Sequence, residues 1–193
     1  MTLIEGFTVW LTGLPGSGKT TLARRLATVL QERGLRTAIL DGEVVRAHLT
    51  PLLGFTKEDR DANVRWIGFA CDLAAHNGVA AIAAAVSPYK KTRGEVRAKT
   101  ALPFVEVFVD CSREVLVERN PKGLYAKALS GEIGHFSGIS DPYEPPDEPE
   151  VIVRTDRETV EESLEKILRA LEERRLIPPD EMLDGRAFFA WGL

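Results

Sequence analysis

Short apolar runs alternate with longer stretches in which apolar residues recur at helical spacing. Phe7-Thr8-Val9-Trp10-Leu11-Thr12 is rich in β-branched and aromatic residues and stops at a glycine-rich turn, so it predicts a first strand. From about Lys19 to Arg33, Leu22, Leu26, Val29 and Leu30 form an apolar stripe, and Gly34 follows as the glycine that ends a helix. Thr37-Ala38-Ile39-Leu40 predicts a second, buried strand that delivers Asp41-Gly42, and a weak helical pattern comes next. Thr56 with Asp59 resembles a capping box that opens a longer helix to about His76, closed by Asn77-Gly78. On that helix Arg60, Asn63 and Ile67 share one face.

Val79 to Val86, Phe104 to Val109 and Val151-Ile152-Val153 predict three further strands, with helical patterns around 89–100, 112–129 and 157–174. Strands alternating with helices imply an α/β fold around a mostly parallel five-stranded sheet. Two stretches break the rhythm. Between Ser130 and Glu150 the glycines 131, 134 and 138 and the prolines 142, 145, 146 and 149 leave no periodicity, and loops of that length are usually functional or disordered. Beyond a domain spanning 1–175, the tail 176–193 carries Pro178-Pro179 and then Phe188-Phe189-Ala190-Trp191, an aromatic cluster that would dock on the core or on a partner subunit.

Composition narrows the function classes. At 193 residues, 44% hydrophobic and 28% charged, the chain has room for one substantial core. Its formal net charge of −4 gives no diffuse positive field for nucleic acid. Cys71 and Cys111 stand in no CxxC spacing, so neither a disulfide framework nor a zinc site is expected, and a reducing cytoplasm fits best. The longest apolar run, Val79 to Val86, is eight residues, against roughly 20 for a membrane span. His48, His76 and His135 show no metal-ligand spacing.

The strongest chemical signal is Gly13-Leu14-Pro15-Gly16-Ser17-Gly18-Lys19-Thr20, set between an apolar strand and an amphipathic helix. In such a P-loop the backbone N–H groups point at phosphate oxygens, because Gly13, Gly16 and Gly18 accept the required angles and leave the approach open. Ser17 lies within the turn and Thr21 follows it on the helix. Lys19 reaches the β- and γ-phosphates as a point charge, and the Thr20 hydroxyl is suited to Mg²⁺. The N-terminal end of the helix adds its dipole. This predicts a phosphotransferase that binds ATP with Mg²⁺.

Ligands of open parallel sheets sit beyond the carboxyl ends of the strands. Asp41 ends the second run, which suits a general base, a partner of a Mg²⁺-bound water, or a plain turn cap. Arg46, Arg60 and Arg65, with Lys90, Lys91 and Arg93, are basic residues near strand ends in an acidic chain, as a second anionic substrate would require; solvated helix faces are the plainer explanation for any one of them. Phe55 and Phe136 sit in glycine-bearing loop sequence, where core packing is the ordinary role.

Taken together, Leu40-Asp41-Gly42, Val45-Arg46, Leu53-Gly54-Phe55, Glu58-Asp59-Arg60, Asn63-Val64-Arg65, Ser87-Pro88-Tyr89, Pro121-Lys122-Gly123-Leu124-Tyr125, Gly131-Glu132-Ile133 and Asp141-Pro142-Tyr143-Glu144 closely resemble, in order, the adenosine 5′-phosphosulfate (APS) kinase pattern of P-loop kinases. The resemblance implies a three-layer α/β sandwich in which 130–146 is a lid, and transfer of the ATP γ-phosphoryl group to the 3′-hydroxyl of APS. It implies that Lys19 and Asp41 act in catalysis, that Arg119 lies near the ATP adenine, and that Arg46, Arg60 and Asn63 hold the phosphosulfate and ribose. It further implies that Phe55 and Phe136 sandwich the APS adenine, that Ser87 and Lys122 belong to the acceptor site, and that the protein is a cytoplasmic homodimer with ATP sulfurylase as a possible partner.

The chain departs from that pattern at Val44, where the family carries Asn, at Asn120 for Asp, Ser137 for Thr, Ser140 for Asp and Lys90-Lys91 for Arg-Arg. A Lys in place of Arg loses the bidentate fork. Two other readings remain: a P-loop kinase for another small hydroxyl compound, and a non-catalytic nucleotide-binding domain that regulates a sulfate-activating partner.

Overall fold

Five parallel strands carry the site, in the spatial order β2-β3-β1-β4-β5. A computed structural model describes residues 6–179. The strands are β1 (Phe7–Thr12), β2 (Thr37–Asp41), β3 (Ala80–Ala84), β4 (Phe104–Asp110) and β5 (Val151–Arg154). The helices are α1 (Lys19–Glu32), α2 (Gly42–His48), α3 (Lys57–His76), α4 (Lys90–Lys99), α5 (Arg113–Arg119), α6 (Leu124–Leu129) and α7 (Val160–Glu173). Among the described residues no helix is long and apolar enough to cross a membrane.

Alternation of side chains along β1 assigns the two faces of the sheet. Val9 and Leu11 pack with Leu22, Leu26 and Leu30 of α1 and with Ile167 and Leu171 of α7. Trp10 faces the other way, with Val64, Ile67 and Cys71 of α3 and Val96 of α4. The central strands are buried on both sides, so they read as continuous apolar runs. Ile177 is fully buried in the first cluster, and Arg33 donates to the Pro178 carbonyl (3.1 Å), so the packed chain runs through Pro178. The Phe188–Trp191 cluster lies outside the described residues.

Two expectations need correction. β2 is an edge strand whose residues are half-buried, not a buried one, and Ile39 is 39% exposed. Four apolar residues look alike at the centre and at the edge of a sheet. The pattern over 112–129 breaks into α5 and α6 across a short 3₁₀ turn, Pro121–Gly123. Proline disfavours a helical residue before it, and Asn120 accordingly turns left-handed (φ 33°, ψ 56°). Its side-chain oxygen then accepts from the N–H groups of Tyr125 (2.9 Å) and Ala126 (3.3 Å) and starts α6.

The helix bounds over α1, α3, α4 and α7 follow their sequence signals closely. Thr56 accepts from the Asp59 N–H at the start of α3, and Thr159 and Glu162 form a full capping box at α7. Residues 130–150 hold no helix or strand, yet they are packed: Phe136 and Ser137 are buried, and a Cβ on Gly138 (φ 88°) would lie 2.5 Å from Leu14 of the P-loop. Only glycine lets the segment cross the P-loop that closely.

Candidate active site

The turn from β1 into α1 is shaped by what surrounds it. A Cβ on Gly13 would stand 2.3 Å from the Val109 carbonyl of β4, so only glycine fits there. Gly18, left-handed at φ 99°, precedes α1 with no side-chain cap, which leaves the first-turn N–H groups to an external anion. Two braces hold the loop from outside, Tyr125 donating to the Pro15 carbonyl and Thr155 to the Ser17 carbonyl, both at 2.8 Å. Tyr125 lies in a block that carries the family resemblance and Thr155 in none, and the bracing role of either was not read from the sequence.

Lys19 points into the turn, where its ammonium donates to the Leu14 carbonyl at 2.7 Å and reaches the Ser17 hydroxyl at 3.4 Å. The residue is 8% exposed. Desolvation lowers its pKa from the ordinary 10.5 to about 8, against the opposing pull of Asp41 and Glu43. A phosphate ion pair would restore the missing solvation.

The alternatives for Asp41 prove compatible. One carboxylate oxygen caps α2, accepting from the N–H groups of Glu43 (2.9 Å) and Val44 (3.4 Å), while the other accepts the Thr20 hydroxyl at 2.6 Å. The cap fixes the carboxylate, and the second oxygen faces the P-loop. Because the Thr20 proton is spent on Asp41, the hydroxyl lone pairs are left for a cation, a donor set that fits Mg²⁺. Val44 contributes through its N–H, and its side chain is 56% exposed, so the apolar replacement leaves the cap intact.

Beside the P-loop lies a cavity of about 280 Å³ lined by Gly16, Gly18, Thr21, Arg119, Thr155 and Val160, among others. Arg119 crosses to the β5–α7 connection, donating to the Thr155 carbonyl and, at 3.2 Å, to its hydroxyl. The connection at Thr155 was not visible as a site in the sequence.

Arg46, on the helix that Asp41 caps, and Arg60 of α3 converge on one aromatic ring. Their guanidinium carbons lie 4.8 and 5.6 Å from the Phe55 centroid, and Phe55 is 55% exposed. Desolvation lowers both arginine pKa values, and the charge of Arg60 lowers that of Arg46 further, so an anion at this place would be doubly favoured. Arg46 donates to the carbonyls of Leu53 and Gly54. Arg60 donates to the Phe55 and His135 carbonyls and stands 3.8 Å from Asp141, which ties α3 to the 130–146 segment. Asn63 is buried and accepts from the Thr50 hydroxyl at 2.7 Å.

The remaining residues of interest lie deeper or further out. Phe136 packs edge-on against Tyr125 (5.0 Å, 77°) in a cluster with Cys111 and Leu116. Ser87 is 2% exposed, with its hydroxyl between the Trp10 indole N–H (3.1 Å) and Thr12 (3.0 Å). Lys122 pairs with Glu43 at 2.7 Å on the open rim.

Three of the basic residues read as recruits for an anion are engaged inside the protein. Arg65 binds Glu95 (2.9 Å), Lys90 pairs with Asp147, and buried Arg93 bonds Glu106 (2.9 Å) and the carbonyls of Ser87 (2.6 Å) and Glu144 (2.7 Å). Their partners come from other elements, which one stretch of sequence does not display.

The family model for adenylylsulphate kinase matches residues 5–154. An adenylyl-sulfate kinase of Chloroflexus aurantiacus is 56% identical over 168 residues, covering 87% of this chain and 90% of that one. Among solved structures, the Mycobacterium tuberculosis APS kinase in complex with AMPPNP and APS is 38% identical with a TM-score of 0.83, covering 87% of this chain and 98% of that one. A hexameric APS kinase from Thiobacillus denitrificans is 36% identical with a TM-score of 0.69, covering 91% of this chain and 30% of that one. With a P-loop, a carboxylate facing it and these likenesses over most of its length, the chain belongs to the adenylylsulphate kinase family.

Proposed function

We propose that this protein transfers the γ-phosphoryl group of ATP to the 3′-hydroxyl of APS, giving ADP and 3′-phosphoadenosine 5′-phosphosulfate. The observation that supports the reading is the 2.6 Å contact between Thr20 of the P-loop and Asp41, which also caps the helix carrying Arg46, itself packed with Arg60 against Phe55. The new bond joins the 3′-oxygen to the γ-phosphorus as the bond to the β–γ bridging oxygen breaks, and Asp41 accepts the hydroxyl proton. Lys19 and the N–H groups of the first turn of α1 offset charge on the transferred group. Thr20, seconded by Asp41, would hold Mg²⁺, which supplies charge neutralisation at the phosphates.

The cavity edged by Thr21 and Arg119 is assigned to the ATP base. Phe55 offers a flat face to the acceptor adenine, and Phe136 would supply the second face on turning out of its packing against Tyr125, while Arg46, Arg60, Asn63 and Lys122 complete the acceptor site, Ser87 lies behind it with its hydroxyl held by Trp10 and Thr12, and 130–146 covers it. Two buried free cysteines suit a reducing cytoplasm. The acceptor has to be supplied by adenylyl transfer to sulfate, which makes an ATP sulfurylase the metabolic partner. Incubation with γ-labelled ATP and micromolar APS is expected to label the acceptor nucleotide. No labelled product there, with transfer to another small alcohol, would favour the broader kinase reading.

The partner subunit is assigned to a second copy of this chain. Trp66, Phe69 and Leu73, 54%, 61% and 56% exposed, form an apolar stripe along the outer face of α3, and the Thiobacillus relative is described as hexameric. Phe69→Glu is expected to shift the sedimenting species to the monomer mass without unfolding it. A wild-type chain that sediments as a monomer at micromolar concentration would remove this assignment.

A further inference from the structure

The carboxyl ends of β1 and β3 meet the return of the 130–146 segment in a buried hydroxyl relay. Thr12, the residue before the P-loop, is wholly buried and donates to the Val86 carbonyl at 2.8 Å. Having one proton, it can only accept from its other neighbours, the Ser87 hydroxyl at 3.0 Å and the Tyr143 phenol at 3.1 Å. Tyr143 is therefore a donor in this contact. Its ring lies parallel to Phe108 of β4 (6.2 Å, 18°) with the Arg93 guanidinium 5.9 Å from its centroid, and burial pushes the phenol pKa up to about 12, so it keeps its proton at any physiological pH.

The next residue is clamped as firmly. Glu144 donates its N–H to the Pro88 carbonyl (2.8 Å), accepts Arg93 on its own carbonyl (2.7 Å) and accepts the Lys90 N–H on its carboxylate (2.8 Å), the last at the start of α4. Residues 143–144 thus form a fixed root. From that root the segment runs back to Asp141, beside Arg60 of the acceptor pocket, and to Gly138, which crosses Leu14 of the P-loop.

We propose that Tyr143 is a positioning residue that couples the two nucleotide sites. Its phenol binds the segment over the acceptor to Thr12, and Thr12 is one peptide from Gly13, so seating that segment and setting the P-loop are one event. The inference rests on reading 130–146 as the lid of an APS kinase. Its consequence is a coupling ratio, the factor by which APS changes the affinity for an ATP analogue, that depends on the Tyr143–Thr12 hydrogen bond.

Calorimetric titration of AMPPNP with and without APS measures that ratio. In Tyr143→Phe, which keeps the ring, the ratio is expected to move about 2–10-fold toward one, the worth of one hydrogen bond, while analogue affinity without APS changes little. Thr12→Ser, which keeps the hydroxyl, is expected to retain the wild-type ratio, and Thr12→Ser with Tyr143→Phe to match Tyr143→Phe alone. A purely structural tyrosine would lower the melting temperature of Tyr143→Phe and leave the ratio untouched, which would overturn the role. A wild-type ratio of one would overturn the lid reading together with the coupling, and failure to bind APS at all would overturn the proposed acceptor.

Discussion

Replacing Asp41 by asparagine is expected to cut kcat by about 10²–10⁴-fold, the range for loss of a positioned general base, while AMPPNP still binds. The geometry makes the change specific. An asparagine oxygen can keep the bonds from Glu43 and Val44 that start α2, so the fold at the end of β2 survives. What the amide cannot do is accept the Thr20 proton with its other atom, which becomes an N–H donor facing a hydroxyl. The variant therefore loses a proton acceptor and turns the Thr20 hydroxyl round at the cation site. Steady-state assays with calorimetry of AMPPNP separate the two, and a kcat within tenfold of wild type would remove Asp41 from the chemistry.

That double duty explains why the sequence left Asp41 ambiguous. A cap and a catalytic carboxylate make the same demand, an aspartate just past a strand, and only the position of Thr20 one helix away shows that both oxygens are used. The parallel sheet was legible because β1, β3 and β4 are mostly apolar runs, as strands buried on both faces are, whereas the edge position of β2 depends on strand order, which no local run encodes. The break at Asn120 was signalled by Pro121 but hidden under an otherwise helical pattern. Asn120 offers its helix-starting oxygen just as an aspartate would, so this departure leaves the local fold unchanged.

The basic residues divided in a similar way. Arg46 and Arg60, grouped by the family resemblance, both lie against Phe55. Arg65, Lys90 and Arg93 looked equivalent in the sequence, yet each is taken by a carboxylate on a distant element, and for Arg93 that carboxylate, Glu106, is itself buried. Tyr125 and Thr155 brace the P-loop through backbone carbonyls, partners that no residue type in the sequence marks.

Lys19→Met is expected to lower kcat by about 10²–10³-fold, as for removal of one preorganised electrostatic group, and at the same time to stabilise the nucleotide-free protein. A lysine pKa pushed from 10.5 to about 8 means that its charge costs the folded protein roughly 3 kcal/mol relative to the unfolded chain. Methionine removes that cost but gives up the bond to the Leu14 carbonyl, leaving a net gain of about 1 kcal/mol, or about 2–4 °C in Tm. The cost is present in full below about pH 8, where both states carry the proton, and fades between about 8 and 10.5 as the folded protein alone releases it. The Tm advantage of the variant should therefore be largest at pH 7 and close as pH rises. Bound phosphates hold the proton on, so AMPPNP affinity of the wild type should fall above pH 8 while that of Lys19→Met stays flat. Parallel pH profiles in the wild type and the variant would show instead that Lys19 carries its charge without strain.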